Sequence, residues 1–177
     1  MSDAIVLVAP DPGWPAAYAL ARDEILSLLP MPPLLIEHIG STAVPGLAAK
    51  PVIDIIVLVA HMAPAQAAIP QLERIGYEFR PDVSSPTRLF LRRYGADGAR
   101  THHLHIHTDH GDVRRHLLFR DRLRADATTR QHYEALKRDL ARRHAGDREA
   151  YAKGKDTFVD AVVRAAGGPE RRPFWRA

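Results

Sequence analysis

The first segment that could do chemistry is the turn Gly40-Ser41-Thr42, which follows a predicted strand. Small residues at this turn let the backbone approach a ligand closely, and Ser41 and Thr42 add hydroxyl donors. Free amides at such a turn favour anions. The spacing from Gly46 to Lys50 does not fit a Walker phosphate loop, but Lys50 can still supply a point charge to a phosphate.

Asp54 stands inside the apolar run 52–59. An unpaired carboxylate in such a strand would be costly, so Asp54 needs a metal ion, a cationic partner or access to solvent. The residues alone leave two interpretations open. Asp54 is either a functional carboxylate or the structural partner of a buried arginine or a neighbouring backbone group.

Histidines are concentrated in one short stretch, since six of the ten lie between His102 and His116. In an extended strand His103, His105 and His107 project from one face. Such imidazoles can bind Zn²⁺, Mn²⁺ or Ni²⁺, or line a phosphate pocket. Neighbours on one face stand about 7 Å apart, so three rarely meet at one ion without a further ligand. An exposed sheet face is the alternative, and we expect a contribution from His103 and His105.

Basic residues flank this stretch on both sides. Arg88 and Arg92 share one face of the preceding predicted strand and could form a fork that clamps a phosphate or carboxylate. For His38 a role in the pocket and a role in packing are equally supported by the sequence. Several charged and aromatic residues of the later helices are expected to form packing contacts or ion pairs, namely Arg120, Asp121, Lys137, Tyr151 and Lys155.

Hydrophobic patterning predicts the elements that must position these residues. Strands are expected at 5–8, 34–39, 52–59, 87–94 and 101–107, and helices at 15–29, 64–75, 113–125, 127–144 and 148–166. Pro70 should kink or restart its helix, and Asp112, Asp126 and Asp147 are placed as N-caps. The resulting fold class is α+β, a mixed sheet with flanking helices and a helical section from about residue 112. We expect one domain over 1–170 and a basic tail at 171–177.

Composition excludes several classes of protein. The 177 residues include no cysteine, which rules out disulfides, thiolate catalysis and Cys-ligated metals. Residues 1–111 carry 8 basic and 11 acidic side chains and residues 112–177 carry 17 and 10, so the net charge of +4 comes from the second part. No nucleic-acid motif accompanies that charge, which favours solvated helix faces. Without a signal peptide or a long apolar run, we expect a cytoplasmic protein.

Several motifs resemble those of the GrpB family. The run HIGSTAVPGLAAKPVIDI, which begins at His38, is similar to the family signature, and the resemblance extends over about residues 5–166. The other matching segments are Trp14-Pro15, the run HLLFRDRLR at 116–124, the set Tyr133, Leu136 and Lys137, and the set Tyr151, Lys155 and Phe158.

The resemblance implies a nucleotidyltransferase-like fold. In that superfamily a Gly-Ser pair binds the triphosphate, and an Asp-x-Asp pair on the next strand holds Mg²⁺. Gly40 and Ser41 would form the phosphate turn and Asp54 would be the first metal ligand. The second acid is absent, because Ile56 occupies its position. In that layout a third carboxylate comes from a later strand, and His105 is the candidate for its position. A nitrogen donor in place of an oxygen favours a softer metal than Mg²⁺.

Three functions remain open. The leading hypothesis is a nucleotidyltransferase that uses Mg²⁺, Mn²⁺ or Zn²⁺ to move a nucleotidyl group from a nucleoside triphosphate to an unknown acceptor, with Lys50 or Arg92 offsetting charge. The second is a non-catalytic module that binds a nucleotide or coenzyme A precursor, since relatives of the family occur fused to dephospho-coenzyme A kinase. The third is a metal-dependent hydrolase built on His103, His105 and His107. No membrane or nucleic-acid partner is expected.

Overall fold

A computed structural model describes residues 5–172. Its centre is a five-stranded sheet in the order β1-β2-β5-β4-β3. The strands are β1 (Leu35–Ile39), β2 (Ile53–Leu58), β3 (Tyr77–Phe79), β4 (Arg88–Tyr94) and β5 (Arg100–His107). Strands β2 and β5 pair in parallel, whereas the other three pairs are antiparallel, so the sheet is mixed. The predicted α+β class is confirmed.

Seven helices accompany the sheet within the described residues. They are α1 (Trp14–Leu28), α2 (Met62–Ala67), α3 (Ile69–Arg74), α4 (His110–Ala125), α5 (Ala127–Arg143), α6 (Arg148–Lys153) and α7 (Asp156–Ala165). Short 3-10 turns lie at Ser41–Ala43 and Pro81–Val83. None of the helices in residues 5–172 combines the length and the apolar character that crossing a bilayer requires.

The two faces of the sheet have different roles. One face packs against α1 and α3 and forms the main core, which contains Ile25, Ile55, Leu72 and Leu104. Helix α4 covers only part of the other face, where Val113 packs on Ile39, Ile56 and Leu58. The remainder of that second face is polar, and it floors a cleft between the sheet and the C-terminal helices.

The predicted elements differ from the structure in several places. The expected strand 5–8 is reduced to a single bridge between Val8 and Ala49, and β3 was not predicted. The expected helix 148–166 is divided into α6 and α7 at Gly154. A Cβ atom on Gly154 would lie 2.5 Å from Leu140 Cδ2, so the break accompanies close packing against α5. Residues 173–177 of the expected tail lie outside the described residues.

Helix starts were predicted with mixed success. The side chains of Asp126 and Asp147 accept hydrogen bonds from backbone amides at the starts of α5 and α6, as expected for N-caps. The prediction of Asp112 was wrong, because Asp109 caps α4 and Asp112 lies in its first turn. Pro70 does restart the helix, since α3 begins at Ile69 with the proline in its first turn.

Candidate functional site

Gly40 and Asp54 are in direct contact at the end of the β1–β2 pair. Ile39 pairs with Asp54 across the two strands, so the chain leaves β1 immediately beside the carboxylate. Gly40 has φ +71° and ψ −170°, and a Cβ atom there would lie 3.0 Å from Asp54 Cγ and closer still to Oδ2. Only glycine fits this conformation and this contact. The turn that carries Ser41 therefore begins against Asp54.

The parallel register of β2 and β5 places His103 beside Asp54. His103 Nδ1 lies 2.9 Å from Asp54 Oδ1, and the two side chains are 16% and 27% exposed. Ligand atoms of Asp54, His103 and His105 all lie within 4.8 Å of one another. Buried His103 Nε2 has no hydrogen-bond partner among residues 5–172. These three residues, which we call the Asp-His-His group, could hold a metal ion.

Electrostatics keep the carboxylate of this group ionised. Burial opposes the ionisation of Asp54, but the hydrogen bond from His103 and the nearby ammonium groups of Lys50 and Lys155 outweigh it and lower the pKa of Asp54. Burial together with the Arg88 guanidinium holds the pKa of His105 well below its usual value, so this ring is neutral at physiological pH. An ionised carboxylate and a neutral imidazole are the protonation states that metal binding requires.

The donor set of the group fits some metals better than others. Ile56 is completely buried beneath α4 and contributes no ligand, so the expected second acid has no replacement on β2. Imidazole nitrogen on β5 takes part instead, and His107 does not belong to the group within the described residues. One oxygen and two nitrogen donors suit Mn²⁺, Fe²⁺ or Zn²⁺ better than Mg²⁺.

Three lysines line the cleft near Ser41, namely Lys50 from the segment before β2, Lys137 from α5 and Lys155 from between α6 and α7. Lys137 is 2% exposed and its Nζ donates to Ser41 Oγ at 3.1 Å and to the carbonyl of Ala48. Burial and the proximity of Lys155 lower the pKa of Lys137 to about 7. The same two effects lower the pKa of Lys50 to about 8. These three lysines form what we call the lysine end of the cleft.

Two tyrosines hold these lysines in place. Lys50 and Lys155 lie over the ring of Tyr151, with Nζ 5.2 and 4.7 Å from its centre. Lys137 lies 5.1 Å from the ring centre of Tyr133. The sequence-based interpretation gave Lys137, Tyr151 and Lys155 packing roles, yet all three line the cleft as well. The spacing Tyr-x-x-x-Lys, which occurs twice, is the signal that could have identified them. In α5 it places Tyr133 and Lys137 on one helix face, and at the end of α6 it brings Lys155 back over Tyr151.

Other predicted residues divide between the cleft and its supports. Arg88 lines the cleft, where its Nη2 lies 3.4 Å from His105 Nδ1. Arg92 shares that face of β4, but its guanidinium lies over the ring of Phe90 and it does not line the cleft, so the expected fork is not formed there. Arg120 pairs with Asp121 and Glu37, as expected for a structural arginine.

His38 and Thr42 form a buried chain of hydrogen bonds behind the turn. Thr42 Oγ1 donates to the carbonyl of Val52 at 3.1 Å and lies 3.0 Å from His38 Nε2. Since the hydroxyl proton is already used, His38 Nε2 is the donor of the second bond. The ring of His38 also stacks on Tyr18 with centres 4.8 Å apart. His38 thus supports the turn from behind, while Thr42 borders the cleft.

The cleft is large and continuous. Its volume is about 890 Å³, and its lining includes Gly40, Ser41, Lys50 and all members of the Asp-His-His group. This volume is near the upper end of the range of about 300–1,000 Å³ for small-molecule sites. A turn that favours anions, a candidate metal group and a cluster of lysines therefore open into one space.

Solved structures with this fold include nucleotidyltransferases. The Cid1 poly(U) polymerase, solved with Mg and 3′-dATP, superposes with a TM-score of 0.57 and 16% identity, covering 84% of this chain and 49% of that chain. GrpB from Enterococcus faecalis superposes with a TM-score of 0.82 and 34% identity over 91% of this chain and 96% of that one. The fold is nucleotidyltransferase-like.

Sequence comparison gives the family. The chain matches the model of the family described as GrpB protein over residues 4–165, and it belongs to that family. A UPF0157 protein of Pseudomonas aeruginosa is 40% identical over 97% of this chain and 72% of its own length. A dephospho-CoA kinase of Mycolicibacterium paratuberculosis is 35% identical over 90% of this chain, but the match spans only 45% of that kinase.

Proposed function

We propose that this chain is a cytoplasmic, divalent-metal-dependent nucleotidyltransferase, which transfers a nucleotidyl group from a nucleoside triphosphate to an acceptor not yet identified. The observation that carries the proposal is the meeting of the Asp-His-His group, the Gly40-Ser41 turn and the lysine end in one cleft. Phosphoryl chemistry of this kind depends on positioning and on charge stabilisation, and these residue types provide both.

Each part of the cleft has a role in this proposal. Asp54, His103 and His105 would hold the metal, which supplies positive charge to the reacting phosphate and positions it. The amides that follow Gly40 and the hydroxyl of Ser41 would bind phosphate oxygens. Lys50, Lys137 and Lys155 would neutralise the negative charge that collects on the pyrophosphate leaving group, and Arg88 would clamp the phosphate from β4.

The test measures pyrophosphate release from each nucleoside triphosphate in the presence of Mn²⁺, Zn²⁺ or Mg²⁺ and a panel of acceptors. The Asp54→Asn variant should lose release, because a neutral amide is a far weaker metal ligand than a carboxylate. Asp139→Asn is the matched control, since Asp139 pairs with Arg142 and Arg143 on the outer surface of α5. Equal release by the wild-type chain and Asp54→Asn would reject the proposal.

A second candidate is a non-catalytic module that binds a nucleotide or a coenzyme A precursor. The burial of Ile56 in place of an acid favours the module. Phosphoryl transfer with two metal ions needs several oxygen ligands, and Asp54 alone supplies too few. The relationship to part of a dephospho-CoA kinase points the same way. Calorimetry with ATP and with dephospho-coenzyme A separates the two. Tight binding that is unchanged by a chelator, without pyrophosphate release, would favour the module.

A further inference from the structure

The cleft has two chemically different ends on either side of the Asp-His-His group. Lys50 and Lys155 lie near enough to Asp54 to stabilise its charge, so the lysine end adjoins that carboxylate. Beyond His105 the lining includes Arg115, Arg171 and Arg172, which pair with Asp160 and Asp109. It also includes Arg88, His107, Asp112 and His116. We call these four residues the imidazole end, and of them only Arg88 has a role in the proposed function.

His107 is the most informative residue of the imidazole end. Its side chain is 2% exposed and borders the cleft. Neither of its ring nitrogens has a hydrogen-bond partner among residues 5–172. The Oδ2 atom of Asp112 lies 3.9 Å from His107 Nδ1, beyond hydrogen-bond distance. A buried imidazole with two unused nitrogens is costly to desolvate, and a ligand bound here would remove that cost.

The surroundings of His107 indicate what this ligand would be. The ring centre of His116 lies 6.0 Å from that of His105 and 6.3 Å from that of His107. Arg88 is the cross-strand neighbour of His107, and the negative charge of Asp112 acts on it. Donors and acceptors, and both signs of charge, are therefore mixed at this end. A phosphate that only accepts hydrogen bonds could use Arg88 but not Asp112, whereas a hydroxyl group both donates and accepts and can use both kinds of partner.

The direction of the reaction supports the same assignment. In nucleotidyl transfer the attacking and leaving oxygens lie roughly in line on opposite sides of the reacting phosphorus. When the leaving pyrophosphate faces the lysine end, the attacking group arrives from the imidazole end. The whole cleft of about 890 Å³ has the size of a small-molecule site, which favours a small acceptor over a polymer.

We propose that the imidazole end is an acceptor subsite that binds a hydroxyl group of a small polar molecule through His107 and His116. This assignment rests on the proposed function. The acceptor oxygen forms a new bond to the α-phosphorus, and the bond from that phosphorus to the pyrophosphate oxygen breaks. The bonding electrons leave with pyrophosphate, and the hydroxyl proton is released to solvent.

The first experiment requires no turnover. Imidazole signals of the full chain labelled with ¹⁵N-histidine are followed by NMR while glycerol or D-ribose is added, with sulfate as the anionic probe. Glycerol and D-ribose should shift the signals of His107 and His116 in a saturable way and leave exposed His132 unmoved. Unmoved His107 signals would overturn the assignment, and so would shifts of His107 produced by sulfate alone.

The second experiment uses pyrophosphate release from ATP with glycerol as the acceptor. His107→Leu removes both nitrogens, and we expect it to raise the KM for glycerol by about tenfold while the Kd for ATP stays within about twofold. His107→Asn keeps a donor and an acceptor and should recover most of the loss, and His132→Leu is the control. A parallel loss of ATP affinity would make this end part of the nucleotide site and overturn the assignment.

If the wild-type chain neither binds ATP nor releases pyrophosphate, the proposed function fails, and the NMR experiment alone decides hydroxyl binding.

Discussion

The carboxylate of Asp54 occupies the space that a side chain on Gly40 would need. Antiparallel pairing of β1 with β2 brings the two residues together, and the φ of +71° at Gly40 turns the chain so that Ser41 follows directly. The turn that could bind an anion and the first candidate metal ligand are therefore packed against each other, with no space for a side chain between them. This contact makes Gly40 part of the site although it has no side chain.

Replacement of Gly40 by alanine should lower the stability of the fold and also weaken metal binding at the Asp-His-His group. We expect Gly40→Ala to lower the free energy of unfolding by about 1–3 kcal/mol from backbone strain, and to displace Asp54 as well. Gly46→Ala is the control, because Gly46 has φ +75° but nothing lies within 4 Å of its Cβ position. Urea unfolding should show a loss in both variants, whereas calorimetry should show weaker Zn²⁺ binding only for Gly40→Ala. Unchanged Zn²⁺ affinity in Gly40→Ala would contradict the proposed coupling.

Metal binding should follow the donor set of the Asp-His-His group. We expect Zn²⁺ and Mn²⁺ to bind more tightly than Mg²⁺, since two of the three donors are imidazole nitrogens. His103→Ala and His105→Ala should each weaken Zn²⁺ binding by at least roughly tenfold, since the loss of a residue that only supports a metal ligand already costs about 10–100-fold in affinity. His132→Ala provides the surface control. A preference for Mg²⁺, or equal affinities in all three variants, would argue against this group as the site.

Anion binding at the lysine end should depend on pH. The pKa of Lys137 is about 7 and that of Lys50 about 8, so these amines lose their charge as pH rises from 6 to 9. Sulfate keeps its charge over this range, and its affinity should therefore fall with rising pH, by at most about tenfold per pH unit for each linked proton. Lys137→Arg, which remains charged, should flatten the dependence, and Lys153→Arg on the surface should not. A flat wild-type profile would exclude the linkage.

The start of α4 gives a test of local structure. Asp109 Oδ1 accepts hydrogen bonds from the amides of Gly111 and Asp112, so Asp109→Ala should lower the free energy of unfolding by about 0.5–2 kcal/mol. Asp109→Asn keeps an acceptor and should cost less. Asp112→Ala removes no N-cap and is expected to change stability little. Thermal or urea unfolding of the three variants distinguishes the cap at 109 from the one that the sequence suggested at 112.

Strand residues were the most predictable part of the site. Alternation along an extended chain places His103 and His105 on one face whatever lies next to them, and the register with β2 confirms that arrangement. The apolar run around Asp54 likewise identified a strand with a carboxylate that needed a partner. What alternation cannot give is the neighbour of that strand, and so the contact of His103 with Asp54 emerged only from the fold.

Helical residues were harder to assign, because amphipathic spacing shows that a face is covered but not what covers it. Lys137 and Lys155 were interpreted as packing devices, and they do pack, on Tyr133 and Tyr151. Their other surroundings, among them Ser41, come from a segment about a hundred residues earlier. Sharing a face was also an insufficient criterion on β4. The guanidinium groups of Arg88 and Arg92 both lie over the ring of Phe90, and only Arg88 lines the cleft.

The parallel pairing of β2 with β5 has a consequence for folding. The Asp-His-His group takes one ligand from β2 and two from β5, and a slip of one residue between these strands would turn their side chains to opposite sides of the sheet. A bound ion would thus act as a clamp that penalises misaligned pairing and slows amide hydrogen exchange along both strands. Loading of the ion would then favour correct assembly of the sheet, because the ion binds the aligned strands and not the misaligned ones.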